Sequence, residues 1–374
     1  MNIVHVVEPF ASGIAVFVKS LVDNMKDDFH LIVHGERESV MKAAEVQKSF
    51  TGANVQFVRW KSAQREISLG KDFKALMELF NLLRDLKQQH NVDAVHLHSS
   101  KSGFIGRLAC KMAGIDNVVY TPNGAPFLVS TKKIKNYFYR MFEKVGNLFG
   151  GKVVCCSLSE MIAYRRLGID AININNGVTV KTSNTPAVDL KKDPAVFQVV
   201  TAARILNQKN PALFNEIAKQ FEHIGQIQFI WIGDGEDRDM LTASNITVTG
   251  WLPPAVSKRY ISNADVYLST SNFEGLSFSV LEALALKKPV LLRNCVGNKD
   301  MVKNGMNGDL FDTAQGAVLK IMQYYNNPGM LPLMGDYSSE VCDREFNIKS
   351  TSVMYRNLYK GQYVGNFPIS YQTS

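Results

Sequence analysis

Residues 271–291 read SNFEGLSFSVLEALALKKPVL. Glu274 closes a loop that follows a β-rich run, and Gly275 behind it lets another backbone approach closely. Ser277 suits the N-cap of a helix over 276–286, and PVLLRN (289–294) is the next strand. Strand, loop, helix and apolar strand form the repeating unit of a parallel α/β sheet. The helix start offers N–H groups without intrahelical partners and a positive dipole end, which suits a diphosphate. Glu274, in front of it, can accept hydrogen bonds from sugar hydroxyls. Glu282 follows with seven residues between, roughly one to two turns into the helix, and can accept both hydroxyls of a ribose. The spacing by itself better suits a solvated loop residue at 274 and the polar face of an amphipathic helix at 282.

The same unit recurs upstream. FQVVTAAR (197–204), IQFIWIGDG (227–235), ITVTGWLP (246–253) and VYLSTS (266–271) read as strands, with a helix over 211–221. Before them lies KTSNTPAVDLKKDP (181–194), polar and proline-containing, which reads as a linker. A first series precedes it: NIVHVV, HLIVHG, VQFVRW, AVHLHS, NVVYTP, KVVCCS and AININNG are strands, with helices over 16–25, 71–89 and 103–113. In 71–89, Phe73, Leu76, Leu79, Phe80 and Leu83 follow the spacing of one buried face. The tail from Asn347 reads as helical, with Tyr355, Tyr359 and Tyr363. The predicted organisation is two doubly wound α/β domains, 1–185 and 186–350, and a helical tail, 351–374. Such domains set their strand C-termini, where α/β folds bind ligands, on either side of a cleft.

Composition narrows the class. The 374 residues are 46% hydrophobic and 20% charged, an ordinary globular balance that excludes wholesale disorder. No apolar run approaches the roughly 20 residues of a membrane span, and MNIVHVV reads as a first strand rather than a signal peptide. The five cysteines are scattered and form no C-x-x-C, which fits a reduced, cytoplasmic protein. Net charge is +8 and uneven: residues 1–190 hold 24 Lys/Arg against 17 Asp/Glu. That half suits phosphates, a membrane or nucleic acid, or is simply a solvated basic surface.

Further motifs sit at strand ends. In TAARILNQKNP (201–211), Arg204 and Lys209 flank a short loop, where two cations could hold a diphosphate. IGDGEDRDM (232–240) sets Gly233, Asp234 and Gly235 after a strand, weak evidence for a nucleotide by itself. EPFASGIAV (8–16) has Gly13 where a ligand could touch backbone, and TPNGAPF (121–127) is a loop toward the same cleft. HLHSSKSG (96–103) puts His96 and His98 on one strand face; a metal needs a third ligand, none is evident, and no metal is expected. The stretch 131–149 interleaves Lys132, Lys133, Lys135, Arg140 and Lys144 with Tyr137, Phe138, Met141, Phe142, Val145 and Leu148. It reads as a basic amphipathic helix on an anionic membrane, or as a core-packed helix with a solvated basic face.

The order of these motifs resembles glycosyltransferase family 4, retaining enzymes of the GT-B fold, over most of the chain. SGIAV is similar to the family's first loop, with Ser12 where a glycine is usual. AVHLHSSKSGFIGRLA, VVYTPNG, VVCCSLSE, NINNGV, AARILNQKNP, FIWIGDGEDRDML, ITVTGWL and NFEGLSFSVLEALALKKPVL follow in the family's order. The flavour is that of bacterial enzymes of capsule, O-antigen or exopolysaccharide synthesis. The resemblance implies two Rossmann-like domains facing across a cleft, with the C-terminal helix returning to the first. It implies that Arg204 and Lys209 bind the diphosphate and Glu274 the donor sugar. Gly275 and the N–H groups of Leu276 and Ser277 hold the phosphates, Glu282 the ribose, and Gly13 approaches from across the cleft. Gly233, Asp234 and Gly235 line the nucleotide, and backbone at Trp251 and Leu252 holds the base. His98, Ser99 and Lys101 are expected on the acceptor side. Asn123 stands where the family often has a histidine and keeps donor and acceptor capacity.

The implied chemistry is retaining transfer from a UDP- or GDP-sugar to a hydroxyl of a lipid-linked or other saccharide, without metal or other cofactor. The developing phosphate charge falls on Arg204, Lys209 and the helix start. The partners implied are the donor, the acceptor and an anionic membrane surface, with no nucleic acid, on the inner face of the plasma membrane. The competing readings are an epimerase or phosphorylase on the same fold, a nucleic-acid-binding protein, and a sensor that binds a nucleotide sugar without turnover.

Overall fold

In the computed structural model, which describes residues 1–36, 43–64, 68–128, 133–180 and 192–362, thirteen strands divide into two sheets. The first holds β1 (Asn2–Val7), β2 (Phe29–His34), β3 (Val55–Arg59), β4 (Ala94–His98), β5 (Val118–Thr121), β6 (Lys152–Cys155) and β7 (Ala171–Asn173). Its helices are α1 (Ser12–Asn24), α2 (Ala43–Lys48), α3 (Leu69–Gln89), α4 (Ser100–Ala113), α5 (Lys133–Asn147) and α6 (Leu158–Arg166). The second sheet holds β8 (Phe197–Ala202), β9 (Ile227–Ile232), β10 (Ile246–Val248), β11 (Val266–Ser269), β12 (Val290–Arg293) and β13 (Gly308–Phe311). With it go α7 (Pro211–Lys219), α8 (Pro254–Asn263), α9 (Phe278–Ala285), α10 (Ala314–Asn326) and α11 (Leu331–Glu345), and α12 (Ile348–Tyr359) ends the described helices.

Strand order is β3-β2-β1-β4-β5-β6-β7 in the first sheet and β10-β9-β8-β11-β12-β13 in the second. All ladders between these strands are parallel. The order reverses between β1 and β4 and between β8 and β11. At such switch points the loops diverge and leave a crevice at the strand C-termini. This is the two-domain GT-B architecture that the resemblance implies. β4 and β5 are buried throughout, as strands covered by helices on both faces must be.

Apolar side chains pack on both faces of each sheet. Val95, Leu97, Ala109 and Leu79 belong to one cluster, Val199, Phe214, Trp231 and Leu268 to another. After α11 the chain returns to the first sheet, where Tyr355 and Tyr359 of α12 pack with Phe17 of α1. The Tyr359 hydroxyl meets His96 Nδ1 at 2.7 Å. An isolated parallel bridge joins Val178 to Asn347, with Val178 N–H donating to Phe346 O at 2.9 Å and Ile348 N–H to Val178 O at 3.1 Å.

The structure differs from the sequence reading in places. β13 was not anticipated: GDLF opens on glycine and aspartate and is too short to show a pattern. α12 begins at Ile348 with Asn347 as its N-cap, where the helical tail was read to start, although the domain boundary was set at 351. Residues 181–191 of the expected linker, Lys132 and Tyr363 lie outside the described residues. No helix among the described residues is long and apolar enough to cross a membrane.

Candidate active site

Lys209, on the short helical turn Asn207–Lys209 after β8, places Nζ 2.5 Å from Glu274 Oε1. Both side chains are largely buried. The loops that carry them are laced together. Thr270 Oγ1 donates to Lys209 O at 2.7 Å, Asn272 N–H to Gln208 O at 2.8 Å, and Gln208 Nε2 to Phe273 O at 3.2 Å. Behind Glu274, its N–H donates to Val296 O at 3.0 Å. α9 begins three residues after Gly275, at Phe278 rather than Leu276. Ser277 is its N-cap but makes no side-chain cap bond; its Oγ lies 3.1 Å from that of Ser279. Among the described residues the first N–H groups of α9 have neither an intrahelical nor a side-chain partner, which is the anion-binding condition of a helix start.

Gly275 touches the first domain. A Cβ there would lie 2.7 Å from Gly124 N and 2.8 Å from Cys156 Sγ. Only a glycine lets the 274–276 backbone meet the loop bearing Asn123. Asn123 itself has φ 57°, and its Nδ2 donates to Thr121 O at 3.3 Å.

Arg204 pairs with Glu236 at 2.8 Å, whose side chain is 76% exposed. Gly233 and Gly235 have a structural reason. A Cβ on Gly233 would meet Ala203 O at 2.2 Å, and one on Gly235 would meet Ile205 O at 2.1 Å. The two glycines thus press against the backbone on either side of Arg204 and fix where it sits. Asp234 pairs with Arg238 at 2.8 Å. Trp251 is 67% exposed beyond the Gly233–Gly250 bridge, and Leu252 packs against the core below. Glu282 lies 3.7 Å from Lys258; burial pushes its carboxyl above the usual range, against the pull of that lysine.

Across the cleft, Ser12, Ser99 and Asn123 follow β1, β4 and β5, and all three have positive φ, at 52°, 76° and 57°. Ser12 keeps the left-handed backbone that glycine adopts freely, at a cost of about 1 kcal/mol. Such strain gathers at functional sites. Gly13 faces the second domain, where a Cβ would stand 3.7 Å from Phe278 of α9. Ser99 donates Oγ–H to Glu8 O at 2.5 Å. Lys101 pairs with Asp72 of α3 at 2.8 Å.

His98 departs from its expected place on the acceptor side: it is fully buried. Its strand lies at the middle of a covered sheet, so its side chain points into the core. His5, which the sequence reading did not connect to it, joins His96 and His98 with ring nitrogens within 4.8 Å. Hydrogen bonds link the rings, while His98 Nδ1 is buried without a partner among the described residues. His5 Nδ1 meets His98 Nε2 at 3.1 Å, and His5 Nε2 meets His30 Nδ1 at 3.0 Å. His96 Nε2 meets Thr121 Oγ1 at 2.8 Å. Burial holds His98 down at about 3 and His5 and His96 well below the usual value.

Two residues escaped the sequence reading. Glu160 is buried in the first turn of α6, and its carboxylate accepts N–H bonds from Gly124, Ala125 and Cys156 at 2.9, 2.9 and 3.1 Å. Burial raises its pKa against those bonds. The available signal was S-x-x-E at 157–160, a capping box. Ser157 does cap α6 through Glu160 N–H. The second residue is Asp300, which accepts the Ser159 N–H at 2.9 Å across the cleft.

α5 is turned opposite to a core helix. Glu143 and Gly146 face inward; Ile134, Tyr137, Phe138, Met141, Phe142 and Val145 are exposed. Inside, the Tyr120 hydroxyl donates to Glu143 Oε1 at 2.9 Å, and the Arg107 guanidinium lies 3.6 Å from Oε2. Gly146 leaves the room that Arg107 fills, since a Cβ there would meet Nη2 at 2.4 Å.

Comparison with known proteins agrees with this geometry. The model of the family described as "Glycosyl transferase 4-like domain" matches residues 12–175, and that of "Glycosyl transferases group 1" matches 196–327. The chain is similar to the Escherichia coli UDP-Gal:alpha-D-GlcNAc-diphosphoundecaprenol alpha-1,3-galactosyltransferase, 31% identical over 274 residues, 66% of this chain and 68% of that one. Its fold is similar to that of sucrose-phosphate synthase from Thermosynechococcus elongatus, with TM-score 0.78, 16% identity and coverage of 96% and 98%. It is similar also to Anabaena HepE, solved with UDP and glucose, with TM-score 0.74, 16% identity and coverage of 96% and 100%.

Proposed function

The chain belongs to glycosyltransferase family 4, and from that premise we propose that it moves galactose from UDP-galactose to a hydroxyl of a saccharide on a polyprenyl diphosphate. It is a glycosyltransferase that uses a nucleotide sugar in bacterial surface-polysaccharide synthesis. The donor and acceptor named here rest on the Escherichia coli relative. One observation carries the site: the Lys209–Glu274 pair sits beside the uncapped start of α9, against the loop of Asn123.

We read the reaction as retaining. The bond between sugar C1 and the diphosphate oxygen breaks, and a bond from C1 to the acceptor oxygen forms on the same face. The acceptor proton passes to the departing phosphate, and nucleoside diphosphate leaves. The negative charge that develops there is met by Lys209 and by the α9 N–H groups. An ammonium has three donors, so Lys209 can keep Glu274 and still hold a phosphate oxygen. Arg204, paired with an exposed carboxylate that water can replace, can turn toward the diphosphate. These cations do the work assigned to a metal in other transferases, so we read the reaction as metal-independent. Glu282 takes the ribose, and Trp251 and Leu252 flank the base.

The protein acts at the inner face of the cytoplasmic membrane in this reading. The exposed apolar face of α5, with Lys135, Arg140 and Lys144 among its aromatics, matches an anionic lipid surface. The test is incubation with UDP-galactose and a GlcNAc-diphosphate-lipid, with the anomeric configuration of the product read by NMR. An α-linked galactosyl product with UDP release is expected. Release of free nucleotide or of a new sugar nucleotide without acceptor would return the epimerase reading.

A further inference from the structure

Ser159 and Glu160 are neighbours in the first turn of α6 and bind opposite lips of the cleft. Glu160 holds the first-domain lip through Gly124 and Ala125, the two residues after Asn123. Ser159 holds the second. Its N–H donates to Asp300 Oδ1 at 2.9 Å, its hydroxyl donates to Asp300 Oδ2, and its Oγ accepts the Gly297 N–H at 2.9 Å. Gly297, at φ 85°, packs directly on the donor-side glutamate: a Cβ there would stand 2.9 Å from Glu274 Cβ and 2.6 Å from Gly275 O. Glu274 in turn donates its N–H to Val296 O. One helical turn therefore fixes Asn123 on one side and the loop behind Glu274 on the other.

We infer that the Ser159–Asp300 contact is a latch across the cleft: these are positioning residues that hold Glu274 in register with Asn123 when the domains close on the donor. The inference rests on the transferase reading for its catalytic consequence, and on geometry alone for its mechanical one. The Ser159 hydroxyl donates and accepts at once, so alanine removes two bonds and strands a partly buried carboxylate oxygen. Threonine keeps the hydroxyl. Asp300→Asn keeps the shape but loses one acceptor.

Three variants, Ser159→Ala, Ser159→Thr and Asp300→Asn, decide it, each measured for kcat, donor KM and melting temperature. Small-angle X-ray scattering with saturating UDP gives the radius of gyration. Misplacing a reacting group by an ångström costs up to about a hundredfold, so Ser159→Ala and Asp300→Asn should lose about tenfold to a hundredfold in kcat. Donor KM should stay within about threefold, because donor contacts remain, and Ser159→Thr should restore kcat. Both impaired variants should scatter as a more open particle than wild type. Wild-type kcat in Ser159→Ala, or a fall in kcat that tracks loss of folded protein alone, overturns the latch. So does a radius of gyration unchanged in both impaired variants. Scattering decides the latch even if the wild-type chain transfers no sugar, an outcome that would instead sink the function proposed above.

Discussion

The ammonium of Lys209 and the carboxylate of Glu274 stand 2.5 Å apart, on two loops that leave neighbouring strands of the second sheet. The glutamate side chain is 7% exposed and that of the lysine 19%. The pair is a charged floor for the cleft, and each member keeps the other oriented before any substrate arrives.

Removing either member should therefore affect chemistry more than folding. Glu274→Ala should lower kcat/KM about 10²-fold or more, as a buried site loses a hydrogen-bond partner. Lys209→Ala should do the same and act mainly on kcat. Initial rates at varied donor concentration, with circular dichroism to confirm folding, check this. A folded Glu274→Ala that turns over normally would remove Glu274 from the site.

Arg204 and its partner should behave unequally. Glu236 is exposed, and an exposed pair contributes little, so Glu236→Ala should leave the rate within about twofold. Arg204→Ala should nearly abolish transfer. Activity should survive EDTA; loss that Mg²⁺ or Mn²⁺ restores would contradict cation-only stabilisation of the leaving diphosphate.

The outward face of α5 should bind anionic bilayers. Each Lys or Arg near an anionic leaflet contributes about 1 kcal/mol, weakened by salt. Wild type should pellet with phosphatidylglycerol vesicles at low salt and release at high salt. Replacing Lys135, Arg140 and Lys144 with glutamate should prevent pelleting, and Phe138→Ser with Met141→Ser should weaken it at every salt concentration. Donor binding should be unchanged in both. Wild type that ignores such vesicles would defeat the membrane reading.

The buried histidines make stability fall in acid. His5, His30, His96 and His98 are held below the usual value of 6.5, chiefly by burial, with His98 at about 3. The unfolded chain protonates them first, so stability is lost as pH falls below about 6.5, and His98's share levels off only near its folded value. Each adds to that slope while it stays neutral in the folded protein and is protonated in the unfolded chain. Glu143, Glu160, Glu282 and Asp300, raised by burial, act in the opposite sense. His96→Gln, which retains groups for Thr121 and Tyr359, should flatten the dependence between about pH 6.5 and 5 by one proton. Urea unfolding across that range measures it; an unchanged slope would show that His96 titrates equally in both states.

Much of this was legible in the sequence because it is local. The strands β1–β12 announce themselves as short apolar runs, and the loop–helix step at Glu274 carries its own pattern. What was not legible depends on partners far along the chain. That α5 is amphipathic follows from its periodicity, but which face looks inward is decided by Arg107 and Tyr120, which claim Glu143. Histidine alternation on β4 placed His96 and His98 together without saying that β1 and β2 would bring His5 and His30 alongside. The capping box at 157–160 marked a helix start; that Glu160 would spend its carboxylate on a loop 35 residues earlier is a fact of three dimensions.

The bridge between Val178 and Asn347 has a mechanical meaning. The backbone leaves the first sheet beyond Val178 and comes back at Asn347, and these two passages are hydrogen-bonded side by side. Gly177 admits the returning chain so closely that a Cβ would stand 2.6 Å from Ile348 Cα. Two parallel tethers joined along one edge resist both shear and unwinding, much as a door hung on paired knuckles can only swing. A rotation about that edge is the motion that keeps both of these hydrogen bonds.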